Sequence, residues 1–186
     1  MGEGSQVLWR RWRAGGGGIW RRVVLVLVCV AGVAGAGLRP PGRVPVVTLS
    51  PGDGQRTVQV NLEEYVKGVV AAEMPADFHP EALKAQAILA RTFTLYKMGK
   101  GKTPHGTDAS TDPEEFQAYN PANINDNIRA AVRETRGLVM TYDGKPIRAY
   151  FHSCSGGKTA TAEEGLDFRE EPTPYLKMVS DPPCPD

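Results

Sequence analysis

Two prolines, Pro75 and Pro80, divide the middle of this chain into two helices that cannot merge. A proline disfavours helical geometry in the residue before it, so a helix arriving from the N-terminal side stops at about Met74. Pro80 itself suits a first helical turn, where its missing N–H costs nothing. The arriving helix follows Asn61, a good N-cap, with Glu64 three residues later as in a capping box. Leu62, Val66, Val69 and Glu73 then recur at the spacing of one helical face. The departing helix runs from Pro80 to about Met98 and closes at Gly99. Its small residues (Ala82, Ala85, Ala87, Ala90) let a neighbour approach closely.

Shorter elements surround this pair. Residues 44–49 are rich in β-branched side chains and read as a strand. Pro51-Gly52-Asp53-Gly54 reads as a turn and residues 56–60 as a second strand. Residues 99–123 are polar and turn-rich, a length that often marks a functional loop. A third helix is expected over 124–136, ending at Gly137. Residues 138–142, the Asp143-Gly144 pair and residues 147–153 form a hairpin signal, with Pro146 placing it at an edge. The segment after Cys154 is rich in Gly, Thr and Glu, and the last residues, Pro182-Pro183-Cys184-Pro185-Asp186, resemble mid-loop sequence, as expected of a truncated domain. The expected class is α+β: short antiparallel strands and a hairpin packed with about three helices.

The N-terminal arm has a different character. Arg10, Arg11, Arg13, Arg21 and Arg22 precede a charge-free run over 23–38. Arginines ahead of a short apolar core make an export signal or a signal anchor. Ala34-Gly35-Ala36 fits a cleavage site, while Ile19 and Trp20 fit an interfacial belt. The run is shorter than the roughly 20 residues of a usual spanning helix. Both readings stand, with the anchor preferred over a cleaved signal that would release a secreted domain. The chain thus divides into a basic arm (1–22), the anchor or signal (23–38), a linker (39–43) and a domain (44–186). The formal net charge of +1 gives no broad basic surface, so nucleic acid is not an expected partner. Cys29, Cys154 and Cys184 are too few for a disulfide framework. Val28 before Cys29 argues against a lipid-anchor site. Cys154 and Cys184 are free to pair outside the membrane, but nothing in their spacing brings them together.

Three groups of residues carry potential chemistry. Glu73 sits on the apolar stripe of its helix, in the last turn, where the helix dipole disfavours an anion. Burial and dipole together are expected to favour the protonated carboxyl, the form a general acid needs. A carboxylate held by Arg91 or Lys84 explains the position equally well. The second group is Tyr150-Phe151-His152-Ser153-Cys154-Ser155-Gly156-Gly157, a strand entering a glycine turn. Alternation sets Tyr150, His152 and Cys154 on one face. A Cys154 nucleophile with His152 as base is the weaker reading, because such pairs usually meet across a fold. The third group, His105-Gly106-Thr107-Asp108 with Gln117-Ala118-Tyr119, lies in the long loop, and is either a binding surface or a solvated connection.

Taken in order, these segments resemble one family. Residues 60–75, with Asn61-Leu62-Glu63-Glu64-Tyr65 and Ala71-Ala72-Glu73-Met74-Pro75, are similar to the opening of the stage II sporulation protein D (SpoIID/LytB) domain. Lys84-Ala85-Gln86-Ala87 and Ala90-Arg91-Thr92-Phe93 resemble its second helix. Gln117-Ala118-Tyr119 and Tyr150-Phe151-His152-Ser153 with Ser155-Gly156-Gly157 resemble its later motifs. The resemblance covers about 44–179. It implies a membrane-anchored enzyme of the bacterial wall that cuts peptidoglycan glycan strands as a lytic transglycosylase during forespore engulfment. Partner wall hydrolases and membrane proteins of an engulfment complex are implied with it. The family's catalytic glutamate falls on Glu73. Gln117, Tyr150, His152, Ser153 and Ser155 are implied as sugar-binding residues, and Arg91 as a group that orients Glu73 or a substrate carboxylate. Some members bind zinc in the loop before the Gln-x-Tyr motif. Here His105 fits, but the cysteine positions hold Ser110 and Phe116, so no cofactor is expected. Other relatives are described as modifiers of autolysins, which makes a non-catalytic, amidase-stimulating wall module the rival reading.

Overall fold

A computed structural model describes residues 44–51, 56–113, 115–152 and 155–180. The expected arm, anchor and linker lie outside these residues, as do Ser153, Cys154, Cys184 and most of the Pro51–Gly54 turn. The architecture is α+β, as the sequence predicts. Strand β1 (Val46–Ser50) turns Val47 and Leu49 into the core. It pairs antiparallel with β2 (Val58–Asn61), Val46 opposite Asn61 and Leu49 opposite Val58. On its other edge it pairs parallel with β3 (Ala109–Ser110), giving the order β2-β1-β3. Strand β3 corrects the reading of 99–123 as an unstructured polar loop. Ala109 and Ser110 are both buried, so the loop passes through the edge of the core.

Helix α1 (Leu62–Glu73) follows β2 without a break. Asn61 caps it by accepting the Glu63 N–H at 2.9 Å. The expected capping box does not close, because Glu64 turns to an ion pair with Lys67 at 2.6 Å. Tyr65, Val66, Val69 and Val70 are fully buried, and α1 packs against β1, α2 and α3 at the centre of the domain. Helix α2 (Pro80–Lys100) begins under His79, whose Nδ1 accepts the Glu81 N–H at 3.3 Å. It passes through Gly99, where closure was expected, and ends at Gly101 with φ of 130°. The second glycine, not the first, supplies the left-handed exit.

After a 3-10 turn (Pro121–Asn123), α3 (Asp126–Glu134) is shorter at both ends than the expected 124–136. Asn125 fixes the start by accepting the Ile128 N–H at 3.1 Å. Thr135 marks the end, its hydroxyl donating to the Ala131 carbonyl at 2.8 Å. The hairpin is the largest correction. Strands β4 (Thr141–Tyr142) and β5 (Lys145–Pro146) are two residues each around Asp143-Gly144, whose φ values of 48° and 72° match a primed turn. One further bond, from Ile147 N–H to Met140 O at 3.2 Å, extends the pairing. Beyond it the chain is not a strand over residues 147–152. Ile147 and Ala149 are buried, which produces the strand-like alternation without a partner strand.

A fourth helix, α4 (Ala162–Leu166), is an addition to the three expected. Thr161 and Glu164 form a full capping box there, with Glu164 N–H donating to Thr161 Oγ1 at 3.2 Å and Thr161 N–H to Glu164 at 3.1 Å. The following segment is tied back to α2. Glu171 accepts from the Tyr96 hydroxyl and from Lys100 Nζ, and the Arg148 guanidinium lies 3.9 Å from the Phe168 ring centre.

One network joins β1 to the start of β3. The Asp108 carboxylate accepts from Thr48 N–H at 2.9 Å, Thr48 Oγ1 at 2.6 Å and Lys102 Nζ. Burial pushes its carboxyl up, but the hydrogen bonds from Lys102 and Thr48 outweigh that and hold it below the usual aspartate range. A group that binds its proton less tightly when folded adds stability that is fully present above the unfolded-state value. That stability is lost as pH falls through the lowered folded value. Urea midpoints measured down through the acid range are expected to fall less steeply in Asp108→Asn than in the wild type. Parallel curves would contradict this role for Asp108.

Candidate active site around Glu73

Glu73 is the last residue of α1, and Met74 leaves the helix in an extended conformation before Pro75. Ala71, Ala72, Glu73, Met74, Pro75, Ala76 and Asn123 line an open groove of about 460 Å³ beside it. Leu62, Val66 and Val69 are buried, whereas Glu73 at the end of the same stripe is half-buried and faces the groove. Among the described residues it has no cationic partner. Its hydrogen bond is accepted by Oε1 from the Ala118 N–H at 3.1 Å. The alternative of an ion pair with Arg91 or Lys84 is therefore not what the structure holds. Lys84 pairs with Glu81 at 3.2 Å and with Glu134 at 2.5 Å. Arg91 is 1% exposed and forks onto Glu63, with Nε to Oε1 at 3.0 Å and Nη2 to Oε2 at 2.6 Å. Its Nη1 donates to the Leu138 and Ala87 carbonyls.

The Ala118 N–H belongs to a segment, residues 116–120, laid along α1. Tyr119 stacks on Tyr65 with ring centres 5.3 Å apart and planes 14° apart. Phe116 meets Tyr65 edge-on at 6.3 Å. Asn120 N–H donates to the Gly68 carbonyl at 2.9 Å. Gly68 is required here: a Cβ on it would lie within 2.9 Å of Tyr119 Cδ2, Cε2 and Cζ. The Tyr65 hydroxyl is buried without a hydrogen-bond partner among the described residues. Burial first, then Tyr119 and Glu73, push its proton affinity well up.

Known proteins match this sequence across the site. A family model, SpoIID, described as "Stage II sporulation protein", covers residues 52–142. Stage II sporulation protein D of Bacillus amyloliquefaciens is 39% identical over 156 residues, 76% of this chain and 44% of that protein. The protein of that name from Bacillus subtilis (strain 168) is 38% identical over the same shares. The chain belongs to the SpoIID family. An amidase enhancer of Bacillus subtilis (strain 168) is also similar, 36% identical over 116 residues, 62% of this chain and 15% of the enhancer. The SpoIID chain spans less than half the length of these curated relatives.

The other residues expected at a SpoIID site lie in different settings. Gln117 is buried, its Oε1 accepting from Thr94 Oγ1 at 3.2 Å, so its amide faces the core and not the groove. Arg91 is likewise committed to Glu63 and does not orient Glu73. Tyr150 meets Phe168 edge-on at 6.1 Å and has the Arg148 guanidinium at 5.2 Å. His152 is exposed, and Ser155 Oγ accepts the Gly157 N–H at 3.2 Å. Neither Tyr150, His152 nor Ser155 lines the groove beside Glu73. Ser153, and the Cys154 thiol of the weaker reading, lie outside the described residues. Asn123 lines the groove and was not anticipated; the Asn120-Pro121 start of its 3-10 turn was the available signal.

The loop residues do not fit a family zinc. Phe116 is packed between Tyr65 and the Phe93 ring, 5.5 Å from the latter. Ser110 is buried in β3, and His105 Nε2 lies 3.2 Å from Glu115 Oε2. Among the described residues no group of three or more His, Cys, Asp or Glu is placed to hold a metal ion.

Proposed function

We propose that this SpoIID chain cleaves peptidoglycan glycan strands by the lytic transglycosylase reaction, with Glu73 as general acid and then base. The observation that carries this reading is the Glu73 carboxyl on the wall of an open groove, held by a backbone N–H and, among the described residues, without a cation to neutralise it. Hydrolytic glycosidases generally need two carboxyl groups, one for acid work and one for the water or nucleophile. A single carboxyl suffices when the substrate supplies its own nucleophile. Glu73 gives its proton to the departing glycosidic oxygen. The C6 hydroxyl of the muramic residue attacks the anomeric carbon, and the Glu73 carboxylate takes the hydroxyl proton as the 1,6-anhydro ring closes. The carboxyl ends the turnover protonated, as it began.

The family relationship to stage II sporulation proteins supports a role at the wall during sporulation, in forespore engulfment, with wall hydrolases and membrane proteins as partners. The basic arm and apolar run over 1–38 are proposed to hold the domain at the cell membrane, on the side away from the cytoplasm. Among the described residues no helix is long and apolar enough to cross a membrane.

A second reading is favoured by the similarity to an amidase enhancer. There the same groove would bind glycan without cutting it and present wall to an amidase. One experiment separates the two: the purified chain is incubated with denuded glycan strands and, separately, with intact wall plus an N-acetylmuramoyl-L-alanine amidase. Soluble glycan fragments from the first arm support cleavage. Amidase stimulation without glycan fragments supports the second reading and overturns the first.

A further inference from the structure

The Gln-x-Tyr motif was expected to hold sugars through its glutamine. The geometry points to a different task. We propose that Tyr119 is a positioning residue, and that its ring, seated in the space left by Gly68, places the Ala118 N–H to hold the Glu73 carboxylate. This rests on the reading of Glu73 as the acid.

Four contacts make the device. Tyr119 stacks nearly parallel on Tyr65, which is fully buried and fixed by the core. Its ring edge fills the position where a side chain on Gly68 would stand. Asn120 N–H closes the segment onto the Gly68 carbonyl at 2.9 Å. On the other side, Gln117 is buried and bonded to Thr94 of α2. Ala118 is thus pinned on both flanks, and its N–H has one direction left, toward Glu73 Oε1 at 3.1 Å. The middle residue of the motif contributes through its backbone, so its side chain is free to be small.

The device matters because Glu73 sits where α1 has ended, with Met74 already extended. A carboxyl on a helix terminus has rotamer freedom that a catalytic group must lose before it reacts, and misplacement by about 1 Å can cost on the order of a hundredfold in rate. A contact that orients the group without touching substrate lowers kcat when lost and leaves KM in place.

The test uses the full chain in four forms: wild type, Glu73→Ala, Tyr119→Ala and Tyr119→Phe. Hydrogen exchange at the Ala118 amide is read by NMR, independently of any activity. Protection in the wild type is expected, with at least about tenfold faster exchange in Glu73→Ala and in Tyr119→Ala. Tyr119→Phe, which keeps the ring in its slot, is expected to restore protection. Exchange at Ala118 that is the same in wild type and Glu73→Ala overturns the proposal, as does unchanged protection in Tyr119→Ala. If Tyr119→Ala fails to fold, the comparison moves to Gly68→Ala/Tyr119→Ala, where the smaller ring-free side chain meets the added methyl without a clash. On glycan strands, Tyr119→Ala is expected to lower kcat by about a hundredfold with KM unchanged. A wild type that releases no fragments while Ala118 behaves as described defeats the cleavage reading alone. Fragment release with kcat unaltered by Tyr119→Ala defeats the positioning role alone.

Discussion

Glu73→Gln is expected to reduce fragment release from denuded glycan strands by about a thousandfold or more. The amide is close to the carboxyl in shape and keeps an oxygen able to accept the Ala118 N–H, so the local structure should hold. What it loses is the proton that goes to the leaving oxygen and the base that takes one back. General acid–base work of this kind typically contributes about 10²–10⁴. One group performs both halves here, which places the expected loss in the upper part of that range. KM should change little, because the groove walls (Ala71, Ala72, Met74, Pro75, Ala76 and Asn123) are untouched. Thermal unfolding of the variant should match the wild type. Release by Glu73→Gln at the wild-type rate would remove Glu73 from the mechanism.

The second large effect concerns stability. Arg91→Met is expected to destabilise the domain by about 3–5 kcal/mol, the usual cost of stripping one partner from a buried ion pair. The Arg91 side chain is 1% exposed and Glu63 13%, and the two meet through a double hydrogen bond. Among the described residues, removing Arg91 leaves the Glu63 carboxylate with the Gly137 N–H alone, at 3.4 Å. It also frees the Leu138 and Ala87 carbonyls that Arg91 Nη1 serves. Lysine would not substitute, since it presents a point charge where a planar fork is needed. The double variant Arg91→Met/Glu63→Leu should recover much of the loss, because neither buried charge then lacks its partner. Denaturant unfolding of the two singles and the double gives the coupling directly. Additive losses would show that the pair is not acting as a unit.

These two residues also show what is legible in such a sequence. Glu73 and its helix were readable because local chemistry determines them: an N-cap at Asn61, a helical period and a proline stop. The partner of Arg91 was not readable, because Glu63 lies 28 residues away and only helix packing brings it near. The sequence offered Glu73 as a partner for Arg91 instead. The burial of Gln117 was hidden for a similar reason. A polar side chain in a polar loop reads as exposed, and only the pairing of β3 with β1 reveals that the loop is drawn inward. The 147–153 strand was overread because Ile147 and Ala149 alternate with outward residues. Alternation reports burial on one side and carries no information about a bonding partner. Helix α4 had a readable sign in Thr161-x-x-Glu164, but its short length and the Gly156-Gly157 turn ahead of it hid it.

In the proposed reaction one carboxyl is enough, because the glycan provides the nucleophile. The most direct measurement is mass spectrometry of the new sugar ends after cleavage in heavy-oxygen water. A transglycosylase leaves 1,6-anhydro ends that carry no label and are lighter than a reducing end by one water. Reducing ends that carry the heavy oxygen would show that water attacks, and would contradict a transglycosylase mechanism at Glu73.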